Sequence, residues 1–486
     1  MDSSKHRIEK DSMGEVSVPI DALYGAQTQR ALVNFTISPQ PLPWKFIQAV
    51  LLIKAAAAQV NSDLGLLSEN HSEHIQNCVN DLLKSPPLDQ FPLSIYQTGS
   101  GTSTNMNVNE VIVGHLRHQG VELSPNDHVN LGQSSNDVIP TAIHLAAALE
   151  TSSSLLPGIR RLAAAIRGVG EQHQEVIKTG RTHLMDALPI RFQDELEAWA
   201  SQLDECSEGI ESGLERILRL PIGGTAVGSG VNCHAEFPAA IIELLNRRTH
   251  LQFTEAPSKF KGLSSLGPLV EFSGHLKTCA AALMKIGNDL RWMNSGPLTG
   301  LGEIQLPALQ PGSSIMPAKV NPVIPEAVCM AAARVFGNDT TVAIAATGSN
   351  FQLNTMLPIT AAVILESIEL MAGSCNSLAE KAITGMTINL QVFEKSLSFN
   401  PILVTSLNPV VGYLKAAEIA KTAQKQKRPI LDVALEMTNI PEDELKKLLD
   451  PIHLARGNRT NGENEPAGGS MTASQQLSGR KTGELA

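Results

Sequence analysis

Between Ser295 and Glu326 the sequence drops any helical period and gathers glycine, proline, hydroxyl and amide side chains. Gly296, Gly300, Gly302 and Gly312 alternate with Pro297, Pro307, Pro311, Pro317, Pro322 and Pro325. A structureless stretch of about 30 residues inside a compact domain tends to be a functional lid or a binding loop. Its centre, Pro311-Gly-Ser-Ser-Ile-Met-Pro-Ala-Lys-Val-Asn-Pro322, sets two hydroxyls beside a glycine, then an ammonium and an amide. A surface turn would use the same residue types. Three other islands share this chemistry: Gln97-Thr-Gly-Ser-Gly-Thr-Ser-Thr-Asn-Met-Asn107, Asn130-Leu-Gly-Gln-Ser-Ser-Asn-Asp137 and Thr179-Gly-Arg-Thr-His183. The second runs into a helix at Pro140, and the third also precedes a helical stretch. Free N–H groups and the helix dipole favour anions at such starts. Singly, each island reads equally well as an N-cap or an Asx turn. Together they suit a ligand with two carboxylates.

Other chemical signals are weaker. Gly223-Gly-Thr-Ala-Val-Gly-Ser-Gly230 is glycine-rich, but it lacks a G-K-[ST] ending and a preceding βαβ pattern, which argues against a nucleotide. His71 and His74 share a helical face at i, i+3, yet nothing nearby completes a metal-ligand set. The six cysteines are scattered without a C-x-x-C pair, so they read as small core residues in a reducing compartment.

Long helices are the elements that must hold these islands. From Arg191 to Leu220, Phe192, Leu196, Trp199, Leu203, Cys206, Ile210, Leu214 and Ile217 recur at steps of three and four. That predicts one apolar stripe on a helix of about 30 residues. Further helices are expected over Trp44 to Asn61, Pro140 to Ile166, Gly267 to Trp292, Pro325 to Ala345 and Pro358 to Lys381, with Pro157 bending or breaking the second. Ala280 to Met284 and Ala327 to Ala333 are small or apolar all round, so they belong in the middle of a bundle. Such helices predict an oligomer. Strand signals are few, with Glu15-Val-Ser-Val18 the clearest. From Arg456 the composition predicts a disordered tail.

The chain has 486 residues, 42% of them apolar and only 4% aromatic, which favours helices packed through aliphatic side chains. Its net charge of -10 argues against a nucleic-acid partner. A local pocket can still oppose that sign and take a small anion. No uninterrupted apolar run reaches membrane-spanning length, and the first residues lack a secretory apolar core. The expectation is a soluble cytoplasmic protein with no membrane partner.

Gly312-Ser-Ser-Ile-Met-Pro-Ala-Lys-Val-Asn321 is similar to the signature G-S-S-x-M-P-x-K-x-N of the fumarase/aspartase superfamily. Arg7-Ile-Glu-Lys-Asp-Ser-Met-Gly14, Tyr24-Gly-Ala-Gln-Thr-Gln-Arg30, Gly180-Arg-Thr-His-Leu184 and Gly224-Thr-Ala-Val-Gly228 support it in order. From about Arg7 to Leu454 the chain resembles the class II fumarases. The resemblance implies an all-α, three-part subunit: an N-terminal, mainly helical part over 1–135, a central long-helix bundle over 136–386 carrying a mobile loop at 295–326, and a small helical part over 387–455. The tail is 456–486. It implies a homotetramer whose central helices form one bundle and whose active sites are each built by three subunits.

Matched position by position, Ser313 resembles the general base that removes a proton beside a carboxylate. Lys319 and Asn321, with Ser314 and Val320 around them, resemble the groups that hold the resulting aci-carboxylate. Ser100, Gly101 and Thr102, with Ser134, Ser135 and Asn136, resemble the carboxylate-binding groups. Thr182 and His183 resemble the elements at the leaving group, and Glu326 the carboxylate paired with that histidine. No metal or organic cofactor is implied. Ser124-Pro125-Asn126-Asp127 stands where fumarases commonly have H-P-N-D, part of a second anion site. The leaving group is read as water: Gln97-Thr-Gly-Ser-Gly-Thr102 and Gln133-Ser-Ser-Asn-Asp-Val138 look like fumarase forms. Ala318, in place of the usual glycine, and Gln352, in place of the usual glutamate, lean towards aspartate ammonia-lyase, the alternative. A non-catalytic member would be expected to have lost Ser313, Lys319 or His183, and all three are present.

Overall fold

Every long helix that the apolar period predicts is present in the computed structural model, which describes residues 5–456. The chain divides into two compact units, Met1–Gln174 with Gln193–Leu390, and Glu175–Phe192 with Gln391–Ala486.

The first unit opens with a hairpin of β1 (His6–Asp11) and β2 (Gly14–Pro19). The Arg7 guanidinium donates to the carbonyls of Pro19, Ala22 and Tyr24 at 2.9, 2.7 and 2.7 Å, and Arg30 forks onto Asp11. The two N-terminal sequence blocks therefore lock each other. Next come α1 (Ala26–Asn34), α2 (Trp44–Asp63), α3 (Thr102–Arg117), α4 (Ser135–Glu150) and α5 (Leu156–Gln172). Later in the chain come α6 (Phe192–Ile217), α7 (Gly267–Met293), α8 (Val323–Ala346) and α9 (Leu357–Leu378).

The stripe residues of α6 are all buried. Its 26 residues span about 39 Å at about 1.5 Å each. Helix α4 begins five residues before the expected Pro140, which lies inside it. The start is set by a capping box, in which Ser134 and Asp137 satisfy backbone N–H groups reciprocally. The expected break at Pro157 is a π-helical turn, Thr151–Leu155, between α4 and α5. Proline has no N–H and its ring clashes with the carbonyl four residues back, so the wider turn makes room. Helix α9, with the π turn after it, is long and apolar enough to cross a membrane, but 72% of its most apolar window is buried in the protein. That is the condition of a core helix.

Within the 295–326 segment a short strand, Ile304–Gln305, pairs with Thr387–Ile388, and α8 already starts at Val323. The stretch is thus pinned at its middle, and its irregular part is shorter than its proline content indicates.

The second unit holds a hairpin of β3 (Ile177–Thr182) and β4 (Met185–Arg191) and the short helices α10 (Tyr413–Gln426), α11 (Ile430–Met437) and α12 (Glu442–Leu448). Its core gathers Leu403, Leu407, Ile419, Ile430, Val433 and Leu445. Asn400 Nδ2 donates to the Ala187 carbonyl at 2.9 Å, tying the hairpin to this core. The expected tail, beyond Arg456 itself, lies outside the described residues.

Candidate active site

The first two islands meet at two helix starts. Gly101 caps α3 in the left-handed region at φ 73°, and a Cβ there would lie 2.9 Å from the Ile139 side chain of α4. Glycine is therefore required on both conformational and steric grounds. The hydroxyls of Ser100 and Thr102 are 2.8 Å apart, and Gln97 Oε1 accepts from Thr104 N and Oγ1 at 3.0 and 2.8 Å. Ser134 is the N-cap of α4, and its Oγ accepts from Asn136 N at 3.2 Å. Asn105 Nδ2 of α3 donates to Ser135 Oγ at 3.1 Å, joining the two islands. Ser100 and Ser135 are buried at the edge of this cluster.

Asp137 is fully buried below it. One oxygen takes Ser134 N at 2.9 Å; the other takes Gly223 N and Thr225 N, both at 2.9 Å. Burial pushes this carboxyl up, while those N–H bonds and the charge of Lys54 pull it down. The glycine-rich Gly223–Gly230 run is thereby accounted for. Gly223, at φ 81°, lets backbone N–H groups wrap a carboxylate of the protein itself.

The loop forms a different place in the same unit. Gly312 N donates to the Lys319 carbonyl at 2.8 Å, and Asn321 Nδ2 donates to the Gly312 carbonyl at 2.8 Å, closing the loop on itself. A Cβ at Gly312 would fall 2.1 Å from that Lys319 carbonyl oxygen. Inside the ring, Ser313 Oγ accepts from Ile315 N and Met316 N at 3.2 and 3.0 Å. Two backbone donors on one hydroxyl oxygen lower the cost of negative charge there. Lys319 Nζ reaches Asn321 Oδ1 at 2.5 Å. Ala318 has φ 68°, a conformation that glycine adopts without strain.

Lys319, Val320, Asn321 and Glu326 line a cavity of about 980 Å³ together with Arg291 and Asn288. Two cations against one carboxylate make it suited to an anion despite the acidic chain. Glu326 sits in the first turn of α8, where the helix dipole favours its charge. Ser313 and Ser314 are beside this cavity in sequence but not part of its wall, and neither are Ser100, Thr102, Ser134, Ser135 or Asn136. Within one chain the first two islands and the loop cavity share no lining residue.

Thr182 and His183 belong to the second unit. The third island does not precede a helix as expected, for it runs up β3 and into the turn of the hairpin. Thr182 pairs with Met185, so His183 and Leu184 form a two-residue loop. Both have positive φ, 55° and 59°, the geometry of a type I′ turn. Such turns prefer Asn-Gly; ordinary L residues there cost about 1–2 kcal/mol each. The strain projects an exposed imidazole from the tip, a placement consistent with function.

At Ser124 the donors are used internally. Its Oγ donates to Asp127 Oδ2 at 2.8 Å and accepts from Asp127 N at 3.1 Å. Its N–H donates to His128 Nδ1 at 2.8 Å, and Pro125 and Asn126 complete a π-helical turn.

Sequence reasoning missed three contacts that support the islands. Lys54 and Asn105 brace the second island from beneath. The hairpin β5 (Ser349–Asn350) and β6 (Leu353–Asn354) backs the first: a Cβ on Gly99 would lie 1.8 Å from the Thr355 carbonyl oxygen. The lysine carried a signal, since it is the single charged residue of the apolar run from Leu51 to Ala58. The Gly99 contact carried none, because it spans the sequence.

A family model described as Lyase matches residues 14–337, and one described as Fumarase C C-terminus matches residues 403–456. The chain is 51% identical over 460 residues to a class II fumarate hydratase of Xylella fastidiosa, covering 94% of this chain and 96% of that one. It is 52% identical to the protein "Fumarate hydratase class II 2" of Pseudomonas aeruginosa, covering 93% and 99%. The crystal structure of a class II fumarase from Schistosoma mansoni superposes with a TM-score of 0.89 at 36% identity, covering 93% of this chain and 99% of that one. A fumarate lyase:delta crystallin from Brucella melitensis gives 0.82 at 38% identity, covering 88% and 100%.

Proposed function

The chain belongs to the class II fumarate hydratases of the lyase family, and from that premise we propose that it interconverts L-malate and fumarate plus water. Ser313 takes the proton from the carbon beside one carboxylate. That proton is very weakly acidic, so the charge must pass into the carboxylate as an aci-form, held by Lys319 and Asn321. The observation that carries this reading is the pair of backbone N–H groups on Ser313 Oγ. They favour an ionised oxygen and so offset the high pKa that makes serine a poor base. Ser100, Gly101 and Thr102, with Ser134, Ser135 and Asn136, bind the substrate carboxylates. His183, flanked by Thr182, protonates departing hydroxide through a water, or activates water in reverse, with Glu326 the carboxylate that the family resemblance assigns to that imidazole.

The split between islands and loop supports an assembly in which several chains complete each site. Helix α8 favours this too, for it leaves Met330 and Ile344 more than half exposed on an apolar helix. We infer a cytoplasmic homotetramer. Absorbance of the fumarate double bond, followed with L-malate and separately with L-aspartate, tests the reaction. Turnover with malate alone is expected, and turnover with aspartate alone would overturn the assignment. Ser313→Ala should abolish turnover and keep the assembled mass in solution; an active variant removes Ser313 from the base role.

A further inference from the structure

Lys54 stands in the apolar run Leu51-Leu52-Ile53-Lys54-Ala55-Ala56-Ala57-Ala58 of α2, and it is 0% exposed. Burying an ammonium costs several kcal/mol unless its protons find good acceptors. They do so in the second island: Nζ donates to Asn130 Oδ1 at 2.8 Å and to Gln133 Oε1 at 3.0 Å. Asn130 is held at its other end too, because its Nδ2 donates to the Gln133 carbonyl at 3.1 Å. Gln133 Nε2 in turn donates to the Val129 and Leu131 carbonyls, both at 3.2 Å. The turn leading into α4 is thus braced around one ammonium.

From there the chain of bonds runs outward. Asn130 Oδ1 also accepts from Asn105 Nδ2 at 3.1 Å, and the second proton of that same nitrogen goes to Ser135 Oγ at 3.1 Å. Two acceptors on one amide nitrogen fix the Asn105 orientation, so Ser135 accepts from inside the protein. A hydroxyl has one proton to give. With its inward lone pair engaged, that proton is left for a partner on the other side. Asp137, the buried countercharge, lies under the same helix start, and burial lowers the Lys54 ammonium to about 7 against its pull.

We propose that Lys54 is a positioning residue for the dicarboxylate: through Asn130 and Asn105 it orients Ser135 so that the serine O–H points at a substrate carboxylate. This rests on the reading of Ser135 as a carboxylate ligand. It adds a residue that touches no substrate yet sets how well the substrate is held.

The test is a double-mutant cycle on the assembled enzyme with L-malate as the probe. Ser135→Ala should raise KM about tenfold, the size of a charge-assisted hydrogen bond. Lys54→Met should raise KM by a similar factor and lower kcat less than about threefold. In the Ser135→Ala background Lys54→Met should then change KM by less than about twofold, since the serine it orients is gone. The same KM rise on top of Ser135→Ala overturns the relay. So does an unaltered KM in Lys54→Met with only a lower melting temperature, which is what a packing role predicts. If Lys54→Met does not assemble, Asn105→Leu breaks the chain one bond further out and must give the same cycle. A Ser135→Ala enzyme with unaltered KM removes the serine from the substrate, and the ligand reading fails with the relay; additive KM effects defeat the relay alone.

Discussion

The turn at His183 and Leu184 allows strain and function to be separated in one hairpin. Each residue sits at positive φ, so together they hold about 2–4 kcal/mol of backbone strain. Leu184→Gly removes one share, about 1–2 kcal/mol. It returns about 0.5–1 kcal/mol through the looser unfolded chain. Leu184 is 64% exposed, so little apolar burial is lost with it. The net gain is about 0.5–1 kcal/mol, which slows local opening roughly two- to fivefold. His183→Asn retains a residue that tolerates this conformation and removes only the imidazole. Loss of a general acid–base group costs about 10² to 10⁴ in turnover. Hydrogen–deuterium exchange of peptides covering Ile177–Arg191 and malate turnover should be measured on both variants. The expected pattern is slower exchange for Leu184→Gly, and unaltered or slower exchange with lost turnover for His183→Asn. Faster exchange in Leu184→Gly would refute the strain argument, and full turnover in His183→Asn would refute the assignment of that imidazole.

Three further perturbations follow from the same geometry. His144, buried on α4, is pushed down to about 4 by that burial, although its Nδ1 lies 3.1 Å from the Arg219 carbonyl. Below the unfolded value of 6.5 the unfolded chain binds a proton that the folded one refuses, so stability falls as pH drops from 6.5 to about 4. The loss approaches roughly 3 kcal/mol, and His144→Gln should flatten that window in denaturation followed against pH. Glu110 accepts from Gly25 N, Gln27 N, Thr28 N and Thr28 Oγ1 at 2.6–3.1 Å, capping α1 from a distance. Glu110→Gln turns an amide N–H towards those donors and should cost about 2–3 kcal/mol; an unchanged denaturation midpoint would contradict it. Gly99→Ala drives a methyl into the Thr355 carbonyl and should raise KM for malate by displacing Ser100, with wild-type kinetics as the contrary result.

The long helices were legible because burial on one side imposes a period, as the stripe from Phe192 to Ile217 shows. Starts were less legible. Pro140 suggested the first turn of α4, whereas Ser134 and Asp137, three apart, are the real cap. In the first hairpin β2 was legible from the alternation Glu15-Val-Ser-Val18, whereas β1 carries one apolar residue, Ile8, on its exposed face and so left nothing to read. The third island was misplaced because a His-Leu turn carries none of the Asn-Gly chemistry that announces a hairpin. A site under functional demand departs from local preference, and that departure hid it. The donor-rich islands themselves were visible as residue types. Their supports were not, for Asn105, Lys54 and Thr355 reach them only through the fold.

The bonds from Asp137 to Gly223 and Thr225 span 86 and 88 residues. Closing a loop of that length costs about 4 kcal/mol in chain entropy, so the bonds form only after the helices around them have made the approach cheap. Ribosomes add roughly 5–20 residues per second. For several seconds of every synthesis, then, α4 has emerged with its buried acid exposed and nothing to wrap it. The carboxylate cradle cannot close until Gly223 and Thr225 have followed α4 out, and any factor that holds the nascent protein open in that interval delays the cradle more than helix content.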